Sequence, residues 1–507
     1  MFLEQIVAQT HMDVKQRKQE LPLAEMMLRA VAQPPPRDLL EALRPGGTEE
    51  RNSLPPNGSP ISRNTSQIRL IAEVKRASPS KGLLVPHFDP VKLARTYATN
   101  GAAAISVLTE PHFFLGSLQH LQAIKQAVNV PVLRKDFIID EYQVYEARAW
   151  GADAILLICA ILKDEPLRHL LKVAHDQRMR CLVEVHSIEE AQRAVAAGAT
   201  IIGVNSRDLE TFQLNPYLIR ELWEIRNIIP ADRVVVAESG IHTAADARRL
   251  ARYGVQAMLV GESLVVSTDI PAQMSSLLHG ANKSVQVKIC GLRTHEHLNA
   301  AIEADADLIG LMFHEPSHRY IQPEQVRMLL ENTRFSAGRD TSGPHKGEGQ
   351  TTPDLVGVFV NKDADFINDV VEQVKLSVVQ LHGDESPEFC QLIKRPVIKA
   401  LRLEQREDSG IVKAYREMAW RILLDTPSAT WGGTGVAHNW SLARNVAQEI
   451  PIFLAGGLTP GNVAQAIAQV HPWGVDVSSG VETNKNKDIG KIRAFIENVR
   501  QYTAERQ

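Results

Sequence analysis

Cysteine, aromatic residues and long apolar runs are all scarce in this sequence, and each scarcity removes a class of protein. Four cysteines in 507 residues (Cys159, Cys181, Cys290 and Cys390) are scattered without metal-ligand spacing. That argues against a disulfide framework and against a zinc site. No stretch approaches the ~18 consecutive apolar residues that suggest a membrane-spanning helix. Met1–His11 lacks the basic start and long apolar core of a secretory leader, so a soluble protein of a reducing compartment, the cytoplasm, is expected. Net charge is only −3, and neither a dense basic patch nor an acidic tail is present to suggest nucleic acid as a partner.

What is present is a cadence, set by Ile71–Gly82 (Ile-Ala-Glu-Val-Lys-Arg-Ala-Ser-Pro-Ser-Lys-Gly). Its first half is an apolar strand on which Ile71, Glu73 and Lys75 share one face. Removing two ions from water is costly, so a carboxylate and an ammonium closing an apolar strand point to chemistry more than to packing. The pattern recurs at Ala103–Thr109, Pro131–Asp136, Ala154–Cys159, Arg180–Val185, Thr200–Asn205, Arg233–Glu238 and Ala257–Gly261. Helix-length amphipathic segments lie between, among them Pro90–Asn100, Leu118–Val128, Gln143–Trp150 and Ile188–Ala197. Eight strands alternating with helices predict a closed parallel β/α barrel, whose chemistry sits at the carboxyl ends of its strands. The large charged residues fall on odd-numbered strands (Glu73 and Lys75, Lys135, Glu184, Glu238), which contribute to one interior layer and should converge.

The cadence starts again at Val285–Cys290 and continues through Leu308–Phe313, Leu355–Val360, Val378–His382, Val397–Leu401, Ile422–Asp425, Ile452–Ala455 and Val475–Val477. The fold class expected is therefore α/β, with two consecutive (β/α)8 TIM barrels, and 507 residues suit two barrels of about 250 each. The domains are placed at 1–280 and 285–507, joined through the polar stretch His279–Ser284. Leu3–Arg29 reads as one amphipathic helix that caps the bottom or side of the first barrel, ended by Pro34–Pro36. Two polar insertions, 49–66 and 336–353, read as flexible segments, and the second precedes a strand, away from the chemical face.

Each half ends with Gly/Ser turns after its seventh and eighth strands: Glu238-Ser239-Gly240-Ile241 and Val260-Gly261-Glu262-Ser263, then Ala455-Gly456-Gly457-Leu458 and Asp476-Val477-Ser478-Ser479-Gly480. Glycine lets backbone N–H groups approach an anion, a following helix adds its positive end, and barrel enzymes bind phosphate at this corner. Two phosphorylated small-molecule substrates are expected, with proton transfers and water loss on a sugar phosphate.

Five separated motifs in each half carry a resemblance. Ile71–Gly82, Ile105-Ser-Val-Leu-Thr-Glu110, Leu133-Arg-Lys-Asp-Phe137, Ile202-Gly-Val-Asn-Ser-Arg-Asp-Leu209 and Ala237-Glu-Ser-Gly-Ile241 resemble indole-3-glycerol phosphate synthase. Val287-Lys-Ile-Cys-Gly-Leu292, Ser317-His-Arg-Tyr320, Val379-Gln-Leu-His-Gly383, Leu423-Leu-Asp-Thr426 and Val475-Asp-Val-Ser-Ser-Gly-Val-Glu482 resemble phosphoribosylanthranilate isomerase. The whole is similar to the bifunctional tryptophan-biosynthesis fusion in synthase–isomerase order.

For the first half the resemblance implies that Lys135 is the general acid of ring closure, Glu184 acts in dehydration, and Lys75, with Glu73 beside it, supports these steps. Asn205 and Glu238 would position hydroxyls, Arg207 and Leu209 would line the anthranilate end, and Ser78, Ser106, Phe114, Ser239, Gly240 and Gly261 would bind substrate. Charged neighbours can tune such a lysine toward a neutral pKa. For the second half it implies Cys290 as the base for the sugar C2 proton and Asp425 as the acid for the ring oxygen. Arg319 and His382 would orient the anthranilate or the catalytic groups, and Gly456, Gly457, Asp476, Ser478 and Ser479 would surround the phosphate. Lys288 or Lys399 is expected to favour the Cys290 thiolate. The other three cysteines read as small buried hydrophobes. No cofactor or metal is implied, and a monomer is one state the sequence leaves open.

Two departures from the family patterns carry expectations. Leu115 replaces a glycine in Phe113-Phe-Leu-Gly-Ser117, so the loop bearing Phe114 is expected to sit differently. Val436-Ala437-His438-Asn439 lacks the family's polar and aromatic members, which lowers the isomerase efficiency expected. The rival reading keeps the fold and makes the second half a weakly active or non-catalytic phosphate-binding barrel, at odds with the presence of Cys290 and Asp425.

Overall fold

The computed structural model describes residues 2–44, 68–207, 218–282, 285–331, 353–402, 409–425 and 440–504. Two closed, all-parallel eight-stranded barrels are formed. The first runs β1 Arg69–Val74, β2 Ala104–Leu108, β3 Val132–Lys135, β4 Ala154–Ile158, β5 Arg180–Val185, β6 Ile201–Asn205, β7 Val234–Glu238 and β8 Ala257–Val260. Sequential strands are neighbours, and β1 pairs with both β2 and β8 to close the ring. The second runs β9 Gln286–Cys290, β10 Leu308–Met312, β11 Asp354–Phe359, β12 Val378–Leu381, β13 Val397–Arg402, β14 Arg421–Asp425, β15 Ile452–Leu454 and β16 Gly474–Val477. It closes where Lys288 of β9 lies beside Asp476 of β16.

The strands are buried on both faces, which is why each reads as an unbroken apolar run. The first barrel is filled by side chains such as Ile71, Leu133, Leu156, Leu182, Val236 and Leu259. At its amino-terminal mouth sits the short helix Leu39–Leu43, whose three buried leucines join that core. Asp38 caps this helix and pairs with Arg180 at the start of β5.

The expected single N-terminal helix is two: α1 Phe2–Glu20 and α2 Leu23–Val31. Pro22, with its ψ of 151°, is extended and has no N–H to continue the ladder, so the chain breaks there. Both helices lie against the side of the first barrel. Arg17 and Lys18 of α1 pair with Glu146 and Asp140, and Val14, Met26 and Tyr142 form a small apolar cluster. The helix expected to end before His279 continues to Asn282, so most of the anticipated linker is helical. The chain divides into two compact units after Asn282. The insertions 49–66 and 336–353 lie outside the described residues, save Ser336–Pro353's last residue, and so does the 436–439 segment.

Candidate active sites

In the first barrel, odd-numbered strands deliver their charged residues to one pocket of about 990 Å³, its open mouth included. Lys135 closes β3 and places its Nζ 3.2 Å from Glu184 Oε2 and 2.9 Å from Glu238 Oε2. Lys75 lies 2.9 Å from Glu73. The carboxylates fit because glycines stand beside them. A Cβ on Gly203 would fall 2.1 Å from Glu238 Oε1, and one on Gly261 would fall 2.5 Å from Glu73 Oε1.

These groups titrate in opposed directions. Burial disfavours charge on Lys135, but Glu238, Glu184 and Glu73 together outweigh it and raise its pKa. The direction is opposite to the expected tuning toward neutrality, because three carboxylates surround one ammonium. Burial also opposes charge on Glu184, yet Lys135 and His186 hold its carboxyl well below the usual range. On Glu238 burial prevails, aided by the charges of Glu184 and Glu73, and its pKa rises. One carboxylate is thereby held ionised while its neighbour is pushed toward the neutral acid.

Ser78, Phe114, Asn205, Arg207, Ser239, Gly240 and Gly261 also line this pocket. Ser106 lies deeper, fully buried beside Glu73 in the β1–β2 ladder. Leu209 is outside the described residues. Leu115 itself takes a φ of 54°, in the left-handed region that glycine favours. The buried Glu110 carboxylate accepts N–H bonds from His112, Phe113 and Phe114 at 2.7–2.9 Å, and these hold the loop in place. Phe114 then packs near Phe137, ring centroids 6.3 Å apart.

In the second barrel Cys290 and Asp425 close β9 and β14, three strands apart around the shorter arc. Both are buried. Gly310 leaves room for the thiol, since a Cβ there would be 2.7 Å from Sγ. Burial raises the Cys290 pKa despite Lys288, Lys487 and Arg319 nearby, so the resting group is a thiol. Of the two lysines expected to favour the thiolate, Lys288 is beside it and pairs with Asp476 at 2.9 Å. Lys399 is engaged elsewhere, donating to the Gly383 carbonyl at 2.6 Å and to Glu385 at 2.7 Å.

His382 Nε2 lies 3.3 Å from Asp425 Oδ2, while Gln380 contacts the other ring nitrogen at 2.8 Å. Arg319 is bidentate to Glu482, at 2.6 and 2.9 Å. Ser478 donates to the Cys290 carbonyl, and Ser479 begins a short 3-10 turn after β16. Gly456 and Gly457 both take positive φ after β15.

Sequence reasoning missed a second-barrel hairpin, 482–487, that carries Glu482 and Lys487 to the strand ends. Lys487 donates to the Ser478 carbonyl and pairs with Glu482, both at 2.8 Å. The Asn484-Lys485 turn between two paired segments was its only sequence signal. His186 was missed as well. Among the described residues no group of His, Cys, Asp and Glu is placed to hold a metal, and no helix is long and apolar enough to cross a membrane.

Comparison with known proteins adds an independent line. The family described as indole-3-glycerol phosphate synthase matches residues 3–277, and that described as N-(5'phosphoribosyl)anthranilate (PRA) isomerase matches residues 287–498. A multifunctional tryptophan biosynthesis protein of Phycomyces blakesleeanus is 38% identical over 84% of this chain and 62% of its own length. A tryptophan biosynthesis protein TRP1 of Phytophthora nicotianae is 37% identical over 82% of this chain and 88% of its own. An indole-3-glycerol phosphate synthase of Dehalococcoides mccartyi is 48% identical over 55% of this chain and all of its own. The chain spans about three fifths of the length of the multifunctional relatives it first matches.

Proposed function

The chain belongs to the indole-3-glycerol phosphate synthase family, with a phosphoribosylanthranilate isomerase domain in tandem, and from this we propose that it catalyses two successive steps of tryptophan biosynthesis. The second barrel isomerises N-(5-phosphoribosyl)anthranilate to 1-(2-carboxyphenylamino)-1-deoxyribulose 5-phosphate. The first cyclises, decarboxylates and dehydrates that product to indole-3-glycerol phosphate. The observation that carries the reading is the meeting of Lys135 with Glu184 and Glu238 inside one pocket.

In the first barrel the Lys135 ammonium donates to the ketone oxygen as the ring carbon attacks, which stabilises the developing charge. Carbon dioxide then leaves and aromaticity returns. Glu184, ionised, takes the proton lost on dehydration, while Glu238, closer to its neutral form, hydrogen-bonds the hydroxyls with Asn205. Lys75 and Glu73 hold the substrate carboxylate and hydroxyls, Arg207 lines the anthranilate end, and the turns at Ser239–Gly240 and Gly261 receive the phosphate.

In the second barrel Asp425 gives a proton to the ring oxygen and Cys290 takes one from C2. The resting thiol must lose its proton first, and Lys288, Lys487 and Arg319 favour the thiolate so formed. The phosphate lies among Gly456, Gly457, Ser478 and Ser479, near Asp476. The chain's substrates are small phosphorylated molecules of the cytoplasm.

The test is a coupled assay on the whole chain and on halves cut after Asn282. The first half should form indole-3-glycerol phosphate from the deoxyribulose phosphate but not from phosphoribosylanthranilate. Adding the second half should restore the full sequence. Absence of indole-3-glycerol phosphate formation from the deoxyribulose phosphate by the intact chain would overturn the reading.

A further inference from the structure

His186 stands one residue beyond β5, just before Ser187, which caps the helix Ile188–Ala196. Its ring lies between two carboxylates. Nε2 lies 3.3 Å from Glu184 Oε1, on the pocket side. Nδ1 lies 3.2 Å from Glu190 Oε2, and the same oxygen accepts the His186 backbone N–H at 2.8 Å. Lys135 meanwhile approaches the other Glu184 oxygen, Oε2, at 3.2 Å.

We propose that His186 is a positioning residue for Glu184, holding one oxygen of that carboxylate while Lys135 holds the other. The proposal rests on the synthase reading of this pocket and adds a residue to it. The role becomes important once substrate binds. A ketone oxygen that takes the Lys135 N–H competes with Glu184 for it, and a carboxylate left with Asn205 as its remaining partner would turn more freely. His186 stands behind Glu184 and is not itself a lining residue of the pocket, so substrate need not displace it.

The charges around it agree. Glu184 faces the imidazole from its own strand and Glu190 from the following helix, with Lys135 of β3 and Asn205 of β6 on the far side of Glu184. Arg193, further along the helix, turns instead to Asp164 and to the carbonyls of Cys159 and Leu162. Burial works against charge on His186, but the two carboxylates outweigh it and raise its pKa to about 10. An imidazolium is therefore present at neutral pH, and it favours the ionised form of Glu184.

The experiment measures indole-3-glycerol phosphate formation by the full-length chain across pH. His186→Leu should lower kcat on the order of 10- to 10²-fold, the scale of a small misplacement, with KM little changed. Its acidic limb should move to higher pH, because loss of a neighbouring cation favours protonated Glu184. His186→Gln keeps a donor without the charge, so it should recover most of kcat while retaining the shifted limb. Wild-type kcat and an unshifted limb in a folded His186→Leu chain would overturn the proposal. An imidazole nitrogen NMR measurement stands apart from turnover. The wild-type His186 ring should be protonated at about pH 8, and its titration should move to lower pH in Glu184→Gln, where Glu190 alone remains. A neutral ring in the wild type overturns the proposal even if synthase activity is present, and absent activity with a protonated ring faults the synthase reading instead.

Discussion

Five ionisable groups of the first barrel, Glu73, Lys75, Lys135, Glu184 and Glu238, form one electrostatic cluster at the strand ends. In the second barrel Cys290 and Asp425 stand on separate strands with separate partners, Cys290 near Lys288, Lys487 and Arg319, Asp425 near His382. The two barrels share a strand order and differ in how they distribute charge. A ring closure followed by dehydration places acid and base work on adjoining atoms, which suits groups that shift one another. An isomerisation that protonates a ring oxygen and removes a C2 proton works at two points, which suits groups kept apart. Architecture supplies the positions, and the spacing of charge differs in the direction that the two proposed reactions require.

The largest effects that could break this contrast lie in the clustered site. Lys135→Ala and Glu184→Gln should each lower indole-3-glycerol phosphate formation by ~10²- to 10⁴-fold and leave isomerisation intact, measured on the same preparation. Near-normal synthase turnover in either variant would remove that residue from the mechanism. In the dispersed site, Cys290→Ala and Asp425→Asn should each cost isomerisation about 10²-fold or more without touching the synthase. A Cys290→Ala chain with undiminished isomerase turnover would return Cys290 to the role of a small buried hydrophobe.

Smaller effects distinguish the barrels by pH. Burial opposes charge on Glu482, but Arg319 and Lys487 prevail and depress its pKa to about 2, from an ordinary 4.5. Its contribution to stability is full above the ordinary value and fades as pH falls toward about 2. For His186 the sign is reversed: a pKa raised to about 10 gives stability that is full below 6.5 and is lost as pH rises through 10. Thermal unfolding of Glu482→Gln should therefore converge with wild type in acid, and that of His186→Gln in alkali. The opposite pattern would mean the ion pairs are misassigned.

The smallest effect concerns Leu115. A non-glycine residue at positive φ costs ~1–2 kcal/mol, and glycine returns ~0.5–1 of that in chain entropy. Leu115→Gly should thus stabilise by at most about 1.5 kcal/mol, read from urea unfolding, with synthase kcat unchanged. A loss of kcat would show that the exposed leucine side chain contributes to the site.

Much of this was legible beforehand because barrel strands are local signals. Every strand of both barrels lies within a residue or two of its apolar run, and the odd-strand rule brought Lys135, Glu184 and Glu238 together in advance. What escaped depended on neighbours distant in sequence. The direction of the Lys135 shift follows from how many carboxylates surround it, which the pattern of β3 alone does not reveal. His186 looks like an ordinary loop residue until Glu184 and Glu190 flank it. Glu482 and Lys487 needed a hairpin to fold them back. The break at Pro22, by contrast, was written in the sequence and passed over.

Arg134 and Lys135 are consecutive cations that point to opposite sides of β3. Arg134 has no exposure and binds Asp136 at 2.9 Å, Glu146 at 2.9 Å and the Gln143 carbonyl at 3.0 Å. A slip of one residue during assembly would exchange the two. The pocket would then receive a guanidinium, and the outer layer would keep an ammonium too short and too few-pronged for its acceptors. Misregistered intermediates are penalised on both faces of the sheet at once. The outer network thus proofreads the alignment of the strand on which the pocket depends, long before any substrate arrives.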